Sequence, residues 1–348
     1  MKYLVTGGLG FIGSNLSRYL GKNSSNEVHI IDALTYSGNL NSLPELEYKK
    51  NMHLYKVSLL EKSKIKKIIT DYQPDVIMNL AAESHVDNSI NDPSIFIQTN
   101  ILGTFNLLEA SRLYMEKNPD HLFMHISTDE VFGDLGKSKK LFKESSKYDP
   151  SSPYSASKAS SDHLVRAWGR TYNLKYIITN CSNNYGPYQY PEKLIPHMIL
   201  SALKGLSLPI YGNGLQIRDW LHVLDHVKGL ELISKKGLYN STYLLGGDNQ
   251  ITNLSIVQEI CSLMDSKFRK NRPNGLSSFS ELITFVQDRP GHDKTYGVDI
   301  STIQKNLGWK PTVSFKTGLR KTIDWYLNNQ KWWEPLIKNT HKFNKIGK

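Results

Sequence analysis

The sequence predicts a doubly wound α/β fold, a parallel sheet joined to a smaller mixed α/β region, and three observations carry that prediction. Short apolar runs alternate with helical patterns through the first half. Roughly twenty or more residues separate successive runs, enough to hold a crossover helix between parallel strands. A glycine-rich turn follows the first run and opens the first helical pattern.

The runs are Lys2–Thr6, Glu27–Asp32, His53–Val57, Val76–Ala81, Leu122–Ser127 and Tyr176–Asn180. After Asn184 the rhythm changes to Tyr185-Gly186-Pro187, a Pro191/Pro196 segment, the run Leu208–Tyr211 and a Gly212/Gly214 turn. The run Tyr243–Leu245, ended by Gly246-Gly247, is expected to return to the large sheet. That return makes two discontinuous domains, 1–185 with 224–255 and 186–223 with 256–348.

With 348 residues and 39% hydrophobic composition the chain can bury a substantial core. Its longest apolar stretches, Val76–Ala82 and Leu122–Ile126, fall far short of the ~20 residues of a membrane span. Met1–Thr6 carries no signal-peptide pattern, so a cytoplasmic, membrane-free protein is expected. Cys181 and Cys261 lack CxxC partners and read as small core residues. Leu254, Val257, Cys261, Met264 and Phe268 recur at helical spacing and would share a buried face.

The net charge of +11 suits an anionic ligand, but solvated lysine-rich faces account for it better. Lys62, Lys64, Lys66 and Lys67 lie along a helix-like segment, Lys137, Lys139, Lys140, Lys143 and Lys147 read as a surface loop, and Lys338–Lys348 as a fraying tail. No nucleic-acid motif is present. His85, His125, His163, His197, His222 and His292 stand singly without metal-ligand spacing, so no metal site is expected.

The glycine turn carries chemistry. In Thr6-Gly7-Gly8-Leu9-Gly10-Phe11-Ile12-Gly13, residues Gly8, Gly10 and Gly13 satisfy G-x-G-x-x-G between a strand and a helix. Missing side chains let the backbone approach a pyrophosphate, which then meets free N–H groups at the helix N-terminus. Asp32 ends the second strand nineteen residues after Gly13, where a carboxylate accepts hydrogen bonds from the adenosine ribose. The same charge repels the extra phosphate of NADP, so the predicted cofactor is NAD.

Tyr154 and Lys158 stand at i and i+4, on one face of a helix. A neighbouring ammonium is expected to lower the phenol from its usual ~10 so that it can take a proton from a hydroxyl. Thr128-Asp129-Glu130 sits where the run Leu122–Ser127 ends, the place where doubly wound sheets build active sites. Their order of roles is not readable from two adjacent carboxylates.

These features, with Asn79-Leu80-Ala81-Ala82-Glu83-Ser84-His85-Val86-Asp87, Ser127-Thr128-Asp129-Glu130-Val131, Tyr154-Ser155-Ala156-Ser157-Lys158, Asn180-Cys181-Ser182-Asn183-Asn184-Tyr185-Gly186-Pro187, Pro191-Glu192-Lys193-Leu194-Ile195-Pro196, Arg218-Asp219-Trp220 and Asp288-Arg289-Pro290-Gly291-His292, resemble the extended short-chain dehydrogenases and narrow to the hexose 4,6-dehydratases. The resemblance spans Met1 to about Tyr326. It implies that Gly7, Gly10, Phe11, Ile12, Gly13, Asp32, Ser58, Leu59, Leu80, Ala81, Ala82, Ser84, Thr99, Tyr154, Lys158 and Asn184 hold NAD. It implies that Ser84, His85, Asp87, Thr128, Asn183, Lys193, Leu194, Pro209, Ile210, Tyr211, Arg218, Asn253, Asp288, Arg289 and His292 meet a nucleotide-sugar.

By the same resemblance Asp129 is the acid and Glu130 the base of a water elimination that follows oxidation at carbon 4 by Tyr154, with Thr128 holding the oxygen. A homodimer through helices near Thr104–Tyr114 and Ser155–Tyr172 is also implied. The carrier is expected to be dTDP, with UDP the alternative, because one methyl group separates the bases and is worth only ~1–3 kcal/mol. A 4-epimerase would leave Asp129 and Glu130 without work, and a non-catalytic NAD-binding regulator would not need all five catalytic positions. Ser58 in place of an acid, Ala33 of a lysine, Asn88 of an arginine and Phe132 of a tyrosine depart from the family pattern without removing a catalytic group.

Overall fold

The apolar runs of the first half meet in one sheet in the computed structural model, which describes residues 1–136, 140–269, 271–288 and 291–338. The first half runs β1 (Lys2–Thr6), α1 (Phe11–Gly21), β2 (Glu27–Asp32), β3 (Met52–Lys56), α2 (Lys62–Tyr72), β4 (Val76–Asn79), α3 (Val86–Asn91), α4 (Ser94–Phe96), α5 (Gly103–Met115), β5 (Leu122–Thr128), α6 (Pro153–Tyr172) and β6 (Tyr176–Cys181). The rest runs β7 (Asn183–Tyr185), α7 (Leu194–Leu203), β8 (Leu208–Tyr211), β9 (Ile217–His222), α8 (Val223–Lys236), β10 (Ser241–Leu245), β11 (Gln250–Thr252), α9 (Asn253–Lys267), β12 (Ile283–Val286), α10 (Ser301–Leu307), α11 (Phe315–Asn328) and α12 (Gln330–Lys338).

The large sheet has seven strands in the order β10-β6-β5-β4-β1-β2-β3, every neighbouring pair parallel. The order reverses between β1 and β4, and the crevice at their carboxyl ends is where such sheets bind ligands. Side chains alternate across the sheet as strand geometry requires. Tyr3 and Val5 pack with Leu16 and Leu20 of α1 and Val227, Leu230 and Ile233 of α8. Leu4 points the other way, to Ile65 of α2, Leu107 of α5 and Val165 of α6. Full burial of each such side chain contributes about 1.5–3 kcal/mol, so both faces are covered by necessity.

β10 lies against β6, pairing Leu245 with Cys181, as the return of Tyr243–Leu245 predicts. The connection between β2 and β3 differs from expectation. Despite its length it contains no α-helix, only 3₁₀ turns at Leu40–Ser42 and Pro44–Glu47. Its turn formers Ser37, Gly38, Asn39 and Pro44 explain why, since each favours a turn over helix propagation.

The second half forms a three-stranded sheet, β11-β9-β7, and a parallel pair, β12-β8. Its core gathers Ile199 of α7, Val257, Ile260, Cys261 and Met264 of α9, Leu319 and Ile323 of α11 and Trp333 of α12, with Leu254 and Phe268 packed alongside. Ile303 of α10 and Trp309 belong instead to the core of the large sheet. Lys137, Lys139, Arg289 and the tail beyond Lys338 lie outside the described residues. Among the described residues no helix is long and apolar enough to cross a membrane.

Candidate active site

The carboxyl ends of β1, β2, β4, β5 and β6 converge on one cleft of about 330 Å³. Every NAD-site residue expected from the sequence lines it, from Gly7 through Asp32, Ser58, Ala81 and Thr99 to Asn184. The lining glycines are Gly7, Gly10 and Gly13, which corrects the reading built on Gly8. Gly8 is packed underneath, where a Cβ would stand 2.6 Å from Ile30. Gly7 has φ +66°, and a Cβ there would come within 2.8 Å of the Ala81 backbone. A Cβ on Gly13 would lie 2.0 Å from the Gly7 carbonyl, so only glycine lets strand, turn and helix meet this closely.

Asp32 is buried, and its carboxylate accepts from the Leu9 amide at 2.9 Å and the Leu34 amide at 2.8 Å. Burial raises its pKa while those two amides favour the charged form. The glycine cradle and this carboxylate, both facing the cleft, fit the pyrophosphate and ribose of NAD.

Two further segments shape the cleft. Between α4 and α5 the chain makes a π-turn over Ile97–Leu102, which turns Asn100 to exchange two hydrogen bonds with the Glu83 backbone at 2.8 and 3.0 Å. Thr99 lies in that turn and lines the cleft. Asn184 Oδ1 accepts from His226 Nδ1 at 2.9 Å, a buried partner that nothing in the sequence singles out.

The five catalytic candidates share this cleft. Helix α6 starts with Pro153 in its first turn and a capping box in which Ser152 Oγ accepts from the Ser155 amide at 3.1 Å and Ser155 Oγ accepts from the Ser152 amide at 3.0 Å. That start fixes the phase of the helix, so Tyr154 and Lys158 face the cleft one turn apart. Lys158 Nζ donates to the Ile126 carbonyl at 2.8 Å, and burial pulls its pKa down to about 8. Tyr154 departs from expectation: burial, then Glu130, hold its phenol well above 10, while a hydrogen bond with Thr128 works in the opposite direction. Among the protein groups acting on Tyr154, burial outweighs any help from a nearby ammonium.

Thr128 ends β5 in extended conformation and its hydroxyl accepts from the Glu130 amide at 3.3 Å, which tips Asp129 and Glu130 into a 3₁₀ turn over the cleft. Asp129 is 2% exposed, and its Oδ2 is buried without a hydrogen-bond partner. Burial, then Glu130 and Asp219, raise its pKa well above the ordinary carboxylate range, with Arg218 opposing. Cys181 is buried but also lines the cleft, its thiol pushed up to about 12 by burial.

The expected substrate residues fall into two groups. Ser84, Thr128, Asn183 and Lys193 line the cleft, and Lys193 Nζ donates to the Ser84 carbonyl at 2.9 Å. His85, Asp87, Leu194, Pro209, Ile210, Tyr211, Arg218, Asn253, Asp288 and His292 do not line it. His85 caps α3 and stands 3.7 Å from Glu192. Ile210 is buried in the core of the second half, so its side chain packs there. His292 pairs with Asp288 at 2.6 Å, Gln216 donates to Asp288 at 3.0 Å, and the Tyr211 ring meets His292 edge-on at 6.1 Å. Arg218 donates to the carbonyls of Ile217 and Asp293, each at 2.8 Å, and lies 4.3 Å over the Tyr296 ring. Through Arg218 acting on Asp129, and Glu130 acting on Tyr296, this second cluster reaches the catalytic acids electrostatically.

One grouping qualifies the expectation about metals. Among the described residues Glu27, His29 and His53 bring potential ligand atoms within 4.8 Å of one another, because β2 and β3 pair His29 with His53 in register. His29 is engaged by Glu27 at 3.1 Å and Tyr55 at 2.8 Å.

The family model described as GDP-mannose 4,6 dehydratase matches residues 4–322. The chain belongs to this family. Its relatives sharpen the likeness. It is 51% identical to a dTDP-glucose 4,6-dehydratase of Neisseria meningitidis over 99% of both chains, and 49% identical to one of Escherichia coli over 100% of this chain and 99% of the other. A solved dTDP-glucose 4,6-dehydratase of Bacillus anthracis, in complex with NAD, superposes with a TM-score of 0.85 at 40% identity, covering 97% of this chain and 99% of that one. A UDP-glucose 4-epimerase of Thermotoga maritima shares the fold at a TM-score of 0.82 but is 27% identical, covering 94% and 99%. This member of the 4,6-dehydratase family is therefore an NAD-dependent lyase.

Proposed function

We propose that the chain converts dTDP-glucose to dTDP-4-keto-6-deoxyglucose and water, supplying deoxysugar synthesis of the rhamnose type. The observation that carries this reading is Asp129, a buried carboxyl that favours its protonated form beside Glu130 and Tyr154 in one cleft. Oxidation and hydride return at one carbon need no such acid, whereas eliminating water does.

Tyr154, as phenolate, takes the proton of the carbon 4 hydroxyl while Thr128 holds that oxygen through its own hydroxyl; the cationic nicotinamide of bound NAD would favour the phenolate against the burial that raises the phenol. Bound NAD supplies the acceptor for the carbon 4 hydride and, once water has left, the donor that returns it to carbon 6. The new ketone acidifies carbon 5, and Glu130 removes that proton. Asp129 passes its proton to the carbon 6 oxygen, which departs as water. Glu130 then returns a proton to carbon 5. Lys158 supports Tyr154, Asp32 takes the adenosine ribose, and Ser84, Asn183 and Lys193 bind the sugar nucleotide. The cluster of Arg218, Tyr211, Asp288 and His292, with Asp87, Asn253 and Arg289, receives the nucleotide end.

Residues 1–185 with 224–255 are assigned to NAD binding, and 186–223 with 256–348 to the nucleotide-sugar. We read the protein as a cytoplasmic homodimer joined through α5 and α6. Large apolar side chains stand exposed on the run that leads into α5, Ile97 by 50% and Leu102 by 46%, which supports a partner there. Light scattering at twice the chain mass checks it.

Incubation with dTDP-, UDP-, GDP- and CDP-glucose followed by mass analysis tests the reaction. Loss of one water from the dTDP sugar alone is expected. Equal turnover of UDP-glucose would move the assignment to that carrier, and an isomer of unchanged mass would refute dehydration.

A further inference from the structure

The catalytic lysine has a buried neighbourhood that the reaction just described does not use. His125 on β5 and Asp162 on α6 are both fully buried, and neither lines the cleft. His125 Nε2 stands 3.4 Å from Asp162 Oδ1 and 3.5 Å from Lys158 Nζ.

The hydrogen bonds around His125 fix its tautomer. Thr6 Oγ1 accepts from the Ala81 amide at 3.2 Å and donates to Asn79 Oδ1 at 2.7 Å. With its oxygen committed, Asn79 presents its amide nitrogen to Thr104 at 3.2 Å and to His125 Nδ1 at 3.1 Å. Nδ1 must therefore accept, so the ring is neutral and its proton sits on Nε2. Burial keeps the ring neutral, and Lys158 and Arg166 act in the same direction. An Nε2–H facing both an ammonium and a carboxylate has one possible acceptor, Asp162 Oδ1.

Burial raises the Asp162 carboxyl above its ordinary range, and the groups around it act in the other direction. Its Oδ2 accepts from Tyr148 at 2.7 Å, Ser127 at 3.0 Å and Asn180 at 3.3 Å, and Tyr148 in turn accepts from Arg166 at 2.9 Å. Oδ1 takes no hydrogen bond of ordinary length and is left toward His125. Three neutral donors on one oxygen favour the ionised form against burial, and a buried carboxylate with no counter-charge would be strongly unfavourable. Lys158, one turn back on α6, is the group that most favours the charged form of Asp162, and Asp162 is the group that most favours the ammonium of Lys158.

We propose that Asp162 is a positioning residue for the reaction: across the neutral ring of His125 it supplies the counter-charge that keeps Lys158 protonated and seated beside Tyr154. The proposal rests on the reading of Tyr154 and Lys158 given above. Thr6 and Asn79 extend the arrangement to Ala81 of the NAD cleft, so a chain of hydrogen bonds runs from the cofactor wall to the His125 ring, which stands between Asp162 and the lysine. The titratable or charged groups facing this pair are Tyr154 and Arg166 on α6, Tyr148 before it, His125 on β5 and Cys181 on β6, whose thiol burial holds neutral.

The sign follows. An anion favours the charged lysine, so removing it lets Lys158 lose its proton at lower pH, and the alkaline limb of carbon 4 oxidation moves down with it. Single-turnover NADH absorbance measured against pH reads that limb. Asp162→Asn should shift it downward by about one pH unit or more, each unit being a tenfold change in the lysine equilibrium. Tyr148→Phe, which removes a hydrogen bond but leaves the charge, should leave the limb in place, and Asp162→Glu should restore it. A rate lowered equally at every pH in Asp162→Asn, with the limb unmoved, would show a purely structural role and overturn the proposal.

Should Asp162→Asn not fold, the unmodified enzyme decides by nitrogen NMR of isotope-labelled lysine. The resonance missing from Lys158→Ala should stay charged until the pH nears about 8, and a Lys158 already neutral at neutral pH overturns the proposal. If Lys158→Ala itself turns over at the wild-type rate, the underlying reading of Lys158 fails, a result distinct from either outcome for Asp162.

Discussion

Replacing Asp129 by Asn keeps the size of the side chain and the oxygen that faces Thr128, but removes the proton. In the wild type that proton is held by burial and by Glu130, on a carboxyl 2% exposed whose Oδ2 has no other partner. General acid catalysis is worth about 10²–10⁴-fold, or about 3–5 kcal/mol at roughly 1.4 kcal/mol per decade. Asp129→Asn should therefore oxidise carbon 4 and exchange the carbon 5 proton with heavy water, yet release product that much more slowly. Stopped-flow absorbance should show NADH accumulating where the wild type shows only a transient. Because the folded state holds a proton that the unfolded chain loses in the ordinary carboxylate range, wild-type stability falls as pH rises from that range toward the raised pKa. Asp129→Asn escapes that loss, so its denaturation midpoint near neutral pH should equal or exceed the wild type. Product formed at the wild-type rate would refute the reasoning, and so would a midpoint well below the wild type.

Glu130→Gln should still reduce NAD but lose carbon 5 exchange, which separates the two acids; exchange at the wild-type rate would reverse their roles. Tyr154→Phe should fold normally and give no NADH absorbance in a single turnover. Asp32→Ala should weaken NAD by about 10–100-fold in calorimetry, the worth of one hydrogen bond to a charged group at about 1.5–3 kcal/mol, and NADP bound by the wild type as tightly as NAD would sink the role of Asp32. Gly13→Ala, with its new methyl 2.0 Å from the Gly7 carbonyl, should lose NAD binding and melt at lower temperature in a thermal scan.

What the sequence disclosed was whatever local order dictates. Alternating runs and crossover lengths gave the sheet, the β-like run before Gly246 gave β10, and the i, i+4 spacing put Tyr154 and Lys158 on one face. The helix that the length of the β2–β3 connection allows does not form, because Ser37, Gly38 and Pro44 disfavour it. The roles of Gly7 and Gly8 could not be separated without knowing that Ala81 comes down onto the turn. Tyr154 was expected to be acidified by its neighbour, yet burial, which no spacing reveals, acts more strongly on the phenol. The partnership of His125, Asp162 and Asn79 joins three elements distant in the chain, and each residue alone looks like an ordinary core polar group.

The place of β10 has a consequence for how the molecule is made. During synthesis the six strands through Cys181 emerge first, and they leave the β6 edge with its backbone N–H and C=O groups unpaired. β10 covers that edge only after β7, α7, β8, β9 and α8 have emerged. A bare edge on a hydrophobic sheet is a template for pairing with other chains. The half that carries the glycine turn thus waits on the other half for its last strand, and a nascent chain stalled between Cys181 and Ser241 is the form of this protein most exposed to aggregation.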